Sequence, residues 1–186
     1  MTQEARNKST PVIILLYFID IRSLDCQDDK CMTPLERARE GQQARSVTMS
    51  IEENKAIARH YIDLFNRGHL VGLDEVVASD VLDHYHAPGQ APGLEGLKQA
   101  LARLRDGFPD MLLIIEDIIA EGDTVVVRGT GRGTHTGEFM NMPPTGKQVT
   151  LPVVAIYRIA SGKIRDRWNL ADNLGMMQQL GAIPGA

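Results

Sequence analysis

The stretch MLLIIEDIIAEGDTVVVRGTGRGTH, residues 111–135, decides the fold. It holds two runs rich in Ile, Leu and Val, parted by Glu121-Gly122-Asp123, a turn by composition. That pattern predicts two paired strands. A second pair follows in QVTLPVVAIYRIASGKIRDRWNLAD, residues 148–172, joined at ASGK, residues 160–163. Between the two hairpins lies TGEFMNMPPTGK, residues 136–147, a loop pinned by Pro143 and Pro144.

Upstream the apolar spacing changes from a strand period to a helical one. Ser50 and Glu53 of SIEE form a capping box, and Ile57, Ala58, Tyr61, Ile62 and Phe65 make one helical stripe behind it. Gly68 ends that helix. A short second helix is expected over about Leu70 to Ala78, then a short strand in VLDHYH, residues 81–86. The loop APGQAPG leads to the clearest helix, LEGLKQALARLRDGF, with Leu94, Leu97, Leu101 and Leu104 on one side. A last short helix carries Leu174, Met176, Met177 and Leu180. Helices first, then a run of antiparallel strands, then a capping helix give an α+β fold. A strongly curved antiparallel sheet wrapped around the N-terminal helices would bury the stripe and leave a cone-shaped cavity.

The bulk properties narrow the function. The chain has 186 residues, a 43% hydrophobic fraction and a formal net charge of −4. It carries no basic patch, which argues against nucleic acid as a partner. No apolar run reaches the roughly 18–20 residues that a membrane helix needs. Residues 11–21, PVIILLYFIDI, follow a weakly cationic start at Arg6 and Lys8, but Asp20 interrupts the run and no small-x-small cleavage site follows. Residues 1–48 therefore read as an appendage or a misassigned start, with Met49 opening the functional domain, and the protein is expected in the cytoplasm. Cys26 and Cys31 fit no metal or redox spacing.

Four features could carry chemistry. Gly129, Gly131 and Gly133 alternate, so they share a strand face, and such a run calls either for a bend or for room beside a ligand. His84 and His86 lie two apart on one face. Asp172 and His135 could join them around a metal, but no metal signature links the four, and no metal is expected. His135 sits where a strand gives way to a loop and is a candidate polar group of a pocket. Asp172 follows Trp168 and Leu170 at the same parity, just before the last helix. It either caps that helix or works as a partly desolvated general base. No Ser-His-Asp order, phosphate-binding glycine loop or dinucleotide fingerprint competes.

Three stretches carry a resemblance: ENKAIARHYIDLFNRGHLVGLDEVVASDVLDHY (53–85), GTHTGEFMNMPPTGKQV (133–149) and GKIRDRWNLADNLGMMQQLG (162–181). Together they resemble the SnoaL-like polyketide cyclase family, within the wider NTF2-like and steroid-isomerase-like superfamily. The resemblance covers about Ser50 to Gly181. It implies a cone built from a curved antiparallel sheet around helices, intramolecular aldol ring closure in a polyketide-like carbonyl compound, and no metal or organic cofactor. It implies that Asp172 acts as general acid/base and that His84 and His135 belong to stretches lining the pocket. Tyr61 and Phe65 of the first helix, Trp168, Leu170, Gly129 and Gly131 would then contact a small hydrophobic carbonyl ligand, and a neutral His84 or His135, or Tyr61, would act catalytically as donor to the developing oxyanion. The same resemblance implies a homodimer and leaves open a cyclase, an isomerase, a non-catalytic ligand binder or an interaction module. RGTGRG stands where relatives often carry bulky residues, which implies a larger or differently shaped cavity.

Overall fold

In a computed structural model, residues 49–86 and 89–184 are described. The expectation for residues 1–48 lies outside them. Helix α1 spans Ile51–Asn66 and begins with the capping box expected of Ser50: its Oγ accepts from Glu53 N at 3.2 Å, and its own amide donates to Glu53 Oε2 at 2.7 Å. Two of the helix's unpaired first-turn groups are thereby satisfied. Ala58, Tyr61, Ile62 and Phe65 are buried along the predicted stripe. Asn66 fixes the other end, donating to Leu113 O at 3.0 Å and accepting from Leu113 N at 2.8 Å, so that α1 is stapled to a strand.

The predicted second helix is shorter than expected. Leu70–Glu75 form a 3₁₀ turn, and Val77 already opens strand β1, Val77–Asp83. The β-branched pair Val76-Val77 favours strand geometry over another helical turn. Helix α2, Gly93–Gly107, buries Leu94, Leu97 and Leu101 as the spacing requires. Strands β2 (Leu112–Glu121), β3 (Thr124–Thr134), β4 (Gln148–Ala160) and β5 (Lys163–Ala171) follow, then helix α3, Asn173–Leu180.

The sheet order is β1-β5-β4-β3-β2. Strands β2 to β5 form an antiparallel meander, while β1 pairs parallel to β5, so the sheet is mixed rather than wholly antiparallel. The β4–β5 hairpin turns at Ser161 and Gly162, both at positive φ (52° and 76°). Two consecutive residues of that kind give the turn that matches strand twist. The sheet is curved and unclosed, and the fold is α+β of the NTF2-like kind.

Two bulges set the curvature and the facing of side chains. In β2, Ile115 pairs with Gly129 but Asp117 pairs with Arg128, so Glu116 is an extra residue. Gly129 is required there: a Cβ on it would stand 2.4 Å from Ile114 O. In β5, Ile164 pairs with Ile159 but Asp166 pairs with Arg158, so Arg165 is extra. A bulge bends its strand and shifts the alternation downstream by one. Beyond Arg165, the odd-numbered Arg167, Asn169 and Ala171 face the helices. The even-numbered Asp166, Trp168 and Leu170 face outward.

Candidate active site

The concave side of the sheet and the two helices enclose a cavity of about 590 Å³. Its walls are mostly apolar: Tyr61 and Phe65 from α1, Leu97 and Leu101 from α2, and Leu151 and Val153 from β4. Arg105 holds α1 in place behind this wall. Its Nη1 donates to Phe65 O at 2.9 Å, and its guanidinium lies 5.6 Å from the Phe65 ring centroid. Such a contact satisfies a helix-terminal carbonyl and adds a cation–π attraction. Tyr85 and Met140 stand at the rim, each more than half exposed.

One polar row crosses this apolar interior. Tyr157 on β4 pairs with Arg167 on β5, and Arg167 pairs with Asp83 on β1. All three line the cavity. Arg167 Nη1 donates to Asp83 Oδ2 at 2.8 Å, with the two side chains only 11% and 8% exposed. Gln90 Nε2 donates to the same Oδ2 at 3.2 Å. Asp83 Oδ1 and Arg167 Nε are buried with no hydrogen-bond partner. Tyr61 leans on Tyr157 with ring centroids 5.4 Å apart.

The electrostatics follow from this crowding. Burial pushes the Tyr157 phenol above its ordinary pKa, Tyr61 and Asp83 push the same way, and Arg167 opposes them, so the hydroxyl keeps its proton. Burial would lower the Arg167 guanidinium. Tyr61, Asp83 and Tyr157 outweigh that and hold it above its ordinary value, so it stays charged. This polar row thus offers a carboxylate, a fixed cation and a neutral hydroxyl on the cavity wall.

The site residues expected from sequence divide into two groups. Tyr61, Phe65 and Gly131 line the cavity. Gly129 is spent on the β2 bulge instead. Asp172 is exposed and caps α3, its Oδ1 accepting from Gly175 N at 2.8 Å. Trp168 and Leu170 share its outward side, with Leu170 52% exposed. The extra residue at Arg165 makes the face that Asp172 shares with Trp168 and Leu170 the outer one. His84 also lies outside. It stacks on Trp168, ring centroids 4.2 Å apart and 5° from parallel, and its Nε2 donates to Asp166 Oδ1 at 2.9 Å. Arg158 donates to Asp166 Oδ2 from Nε (2.9 Å) and Nη2 (2.8 Å).

His135 is fully buried and belongs to the loop rather than the cavity wall. Its Nδ1 accepts from the Thr145 amide at 3.3 Å and lies 3.1 Å from Thr145 Oγ1. Its ring stacks on Phe108 at 5.0 Å. An accepting Nδ1 places the ring hydrogen on Nε2, which is buried without a partner. The residue closes the loop that precedes β4. Among the described residues, no group of three or more His, Cys, Asp or Glu side chains converges as a metal site requires, and no helix is long and apolar enough to cross a membrane.

Sequence reasoning missed Asp83, Tyr157, Arg167 and Asn169. Asp83 and Arg167 could have been found as opposite charges on two short strands otherwise bound for burial. Their meeting depends on the parallel β1–β5 pairing, which no local pattern announces.

The geometry has close counterparts among known proteins. Aklanonic acid methyl ester cyclase DauD of Streptomyces sp. (strain C5) is 29% identical over 132 residues, covering 67% of this chain and 80% of its own. Nogalonic acid methyl ester cyclase of Streptomyces nogalater is 30% identical over 122 residues, covering 64% and 91%. The structure of IdmH from Streptomyces antibioticus superposes with a TM-score of 0.63 at 32% identity, covering 69% of this chain and 98% of that one. TsrD from Streptomyces laurentii gives a TM-score of 0.67 at 26% identity, covering 73% and 99%. The model of the SnoaL-like polyketide cyclase family matches residues 55–180, a span holding most of α1, all of α2 and all five strands, and the chain therefore belongs to that family.

Proposed function

We propose that this protein is a cofactor-independent cyclase or isomerase that moves a proton within a small, polyketide-like carbonyl compound held in the cavity. One observation carries the reading: a buried carboxylate side chain, Asp83, on the wall of a mostly apolar cavity. The volume suits a ligand of a few fused or fusible rings. Relatives named as cyclases of acid methyl esters point to a substrate rich in carbonyl groups. In this reading Asp83, not Asp172, takes the proton from a carbon flanked by two carbonyls. The carbanion attacks a second carbonyl of the same folded molecule, and Asp83 returns the proton to the new alkoxide. Orientation in the cavity supplies much of the rate. His84 and His135 have supporting rather than chemical tasks, because neither reaches the cavity wall.

The working form is read as a cytoplasmic homodimer. The outer face of the sheet supports the dimer: Ile119, Val154 and Leu170 are exposed on it at 66%, 37% and 52%, and exposed apolar side chains on one face favour association.

The test is hydrogen exchange at the central carbon of a 1,3-diketone in heavy water, followed by NMR. The wild type accelerates exchange, and Asp83→Asn lowers the acceleration by about 100-fold or more, the usual contribution of a general base. Exchange that persists in Asp83→Asn removes Asp83 from the chemistry. A second reading, a ligand binder without turnover, draws on the Asp83–Arg167 pairing, since Asp83 Oδ2 is already engaged by Arg167 and Gln90. Tight binding of the diketone with no exchange by the wild type would favour it.

A further inference from the structure

We propose that Arg167, with the Tyr157 hydroxyl beside it, is an anion site for the ligand, and that the ligand it selects is one able to become a delocalised oxyanion, the enolate of a 1,3-dicarbonyl or a phenolate of the same shape. The inference rests on the cavity reading above and assigns the polar end of that cavity a specificity of its own.

Arg167 holds unspent hydrogen-bonding capacity. A guanidinium presents five N–H donors in a rigid fork. Among the described residues, the Arg167 side chain makes one hydrogen bond, from Nη1 to Asp83 Oδ2. Nε is buried without a partner, and Nη2 makes no hydrogen bond among the described residues. Buried polar groups left so are rare and call for an explanation. A fixed, planar cation with spare donors, on the wall of an apolar cavity, fits a ligand that carries spread negative charge over two coplanar oxygens. Tyr157, its rung neighbour on β4, adds a hydroxyl that stays protonated and can donate to the same oxygens.

Charge balance explains why an acid and a base stand together there. Before reaction, Arg167 neutralises the Asp83 carboxylate. When Asp83 takes a proton from the ligand, the C–H bond breaks, an O–H bond forms on Asp83, and the electron pair moves onto the ligand's carbonyl oxygens. The cation then faces the enolate in place of the carboxylate. The negative charge changes hands while its counter-ion stays still, so the site requires little reorganisation during the step.

The experiment measures binding rather than turnover. Benzoylacetone, a 1,3-diketone whose enolate absorbs at longer wavelength than the neutral forms, is titrated with the wild type across pH. The expected result is an enolate band on binding at a pH where the free compound is neutral. Arg167→Met weakens enolate binding by about tenfold or more, the least expected of a lost charge-assisted hydrogen bond. Asp83→Asn leaves the cation without a competing carboxylate and tightens enolate binding. Should Arg167→Met fail to fold around an unpaired carboxylate, the double variant Asp83→Asn/Arg167→Met is neutral and of similar shape, and it must show the same weakening relative to Asp83→Asn alone. Benzoylacetone bound only in its neutral form by the wild type, or bound as enolate equally by the variants, overturns the inference. Failure of the exchange test with Asp83 while the enolate band persists overturns the acid/base reading and leaves the anion site standing.

Discussion

Asp172 and Asp83 are both aspartates near strand ends, yet their surroundings assign them different work. Asp172 holds the first turn of α3 through Gly175 N. Replacing it with Ala is expected to cost about 1 kcal/mol, the typical worth of an N-cap, and to leave diketone exchange unchanged. Urea unfolding and the exchange assay check the two halves of that expectation. Asp166 makes a prediction about pH. Burial pushes its carboxyl up, but hydrogen bonds from His84 and Arg158 outweigh burial and hold the folded pKa below the ordinary value. A group depressed in the folded state stabilises above its unfolded pKa, about 3.9 for aspartate, and that stability is lost as pH falls through the folded value. Unfolding free energy measured between neutrality and strong acid therefore declines below about pH 4. In Asp166→Asn the decline is shallower, because that carboxyl no longer titrates.

At the scale of elements, the glycines of β3 separate architecture from ligand space. A Cβ at position 129 would stand 2.4 Å from the Ile114 carbonyl oxygen, and backbone cannot retreat cheaply. A Cβ at position 131 would meet Leu151 side-chain atoms at 3.4 Å and intrude on the cavity. Gly129→Ala is expected to destabilise by roughly 1–3 kcal/mol, as overpacking does. Gly131→Ala should cost less stability and instead weaken diketone binding. Thermal melts and ligand titrations of the pair tell them apart. These strands also show how much was legible beforehand. The capping box at Ser50, the leucine stripe of α2 and the two hairpins follow from spacing, so the fold class could be read directly. The facing of β5 could not. GKIRDRW contains nothing that marks Arg165 as an extra residue, since the glycine lies in the turn and no proline follows. Counting by twos from buried Ile164 leads to Asp166, Trp168, Leu170 and Asp172, which is the wrong set for the cavity. Parallel pairing of β1 with β5 was equally silent, because it joins segments more than 80 residues apart through no local signal.

For the whole molecule, the outer sheet face is the surface proposed for self-association. The row Ile119, Val126, Ile156 and Trp168 runs across four strands, with Val154 and Leu170 paired beside it. A charge placed on that face should oppose self-association without touching the cavity. Leu170→Arg is expected to elute as a monomer in size-exclusion chromatography with light scattering, if the wild type is a dimer, and to retain benzoylacetone binding. An unchanged dimer would move the interface elsewhere.

The lone supernumerary residue in β5 also has an evolutionary consequence. Because it alone sets which half of the strand meets ligand and which meets the outside, deletion of the Arg165 codon would transpose the two inventories at a stroke, offering tryptophan and leucine to the interior and presenting arginine and asparagine to the exterior. An indel of three nucleotides would thus reverse the facing of every residue beyond it, a change that a single substitution in the same strand does not make.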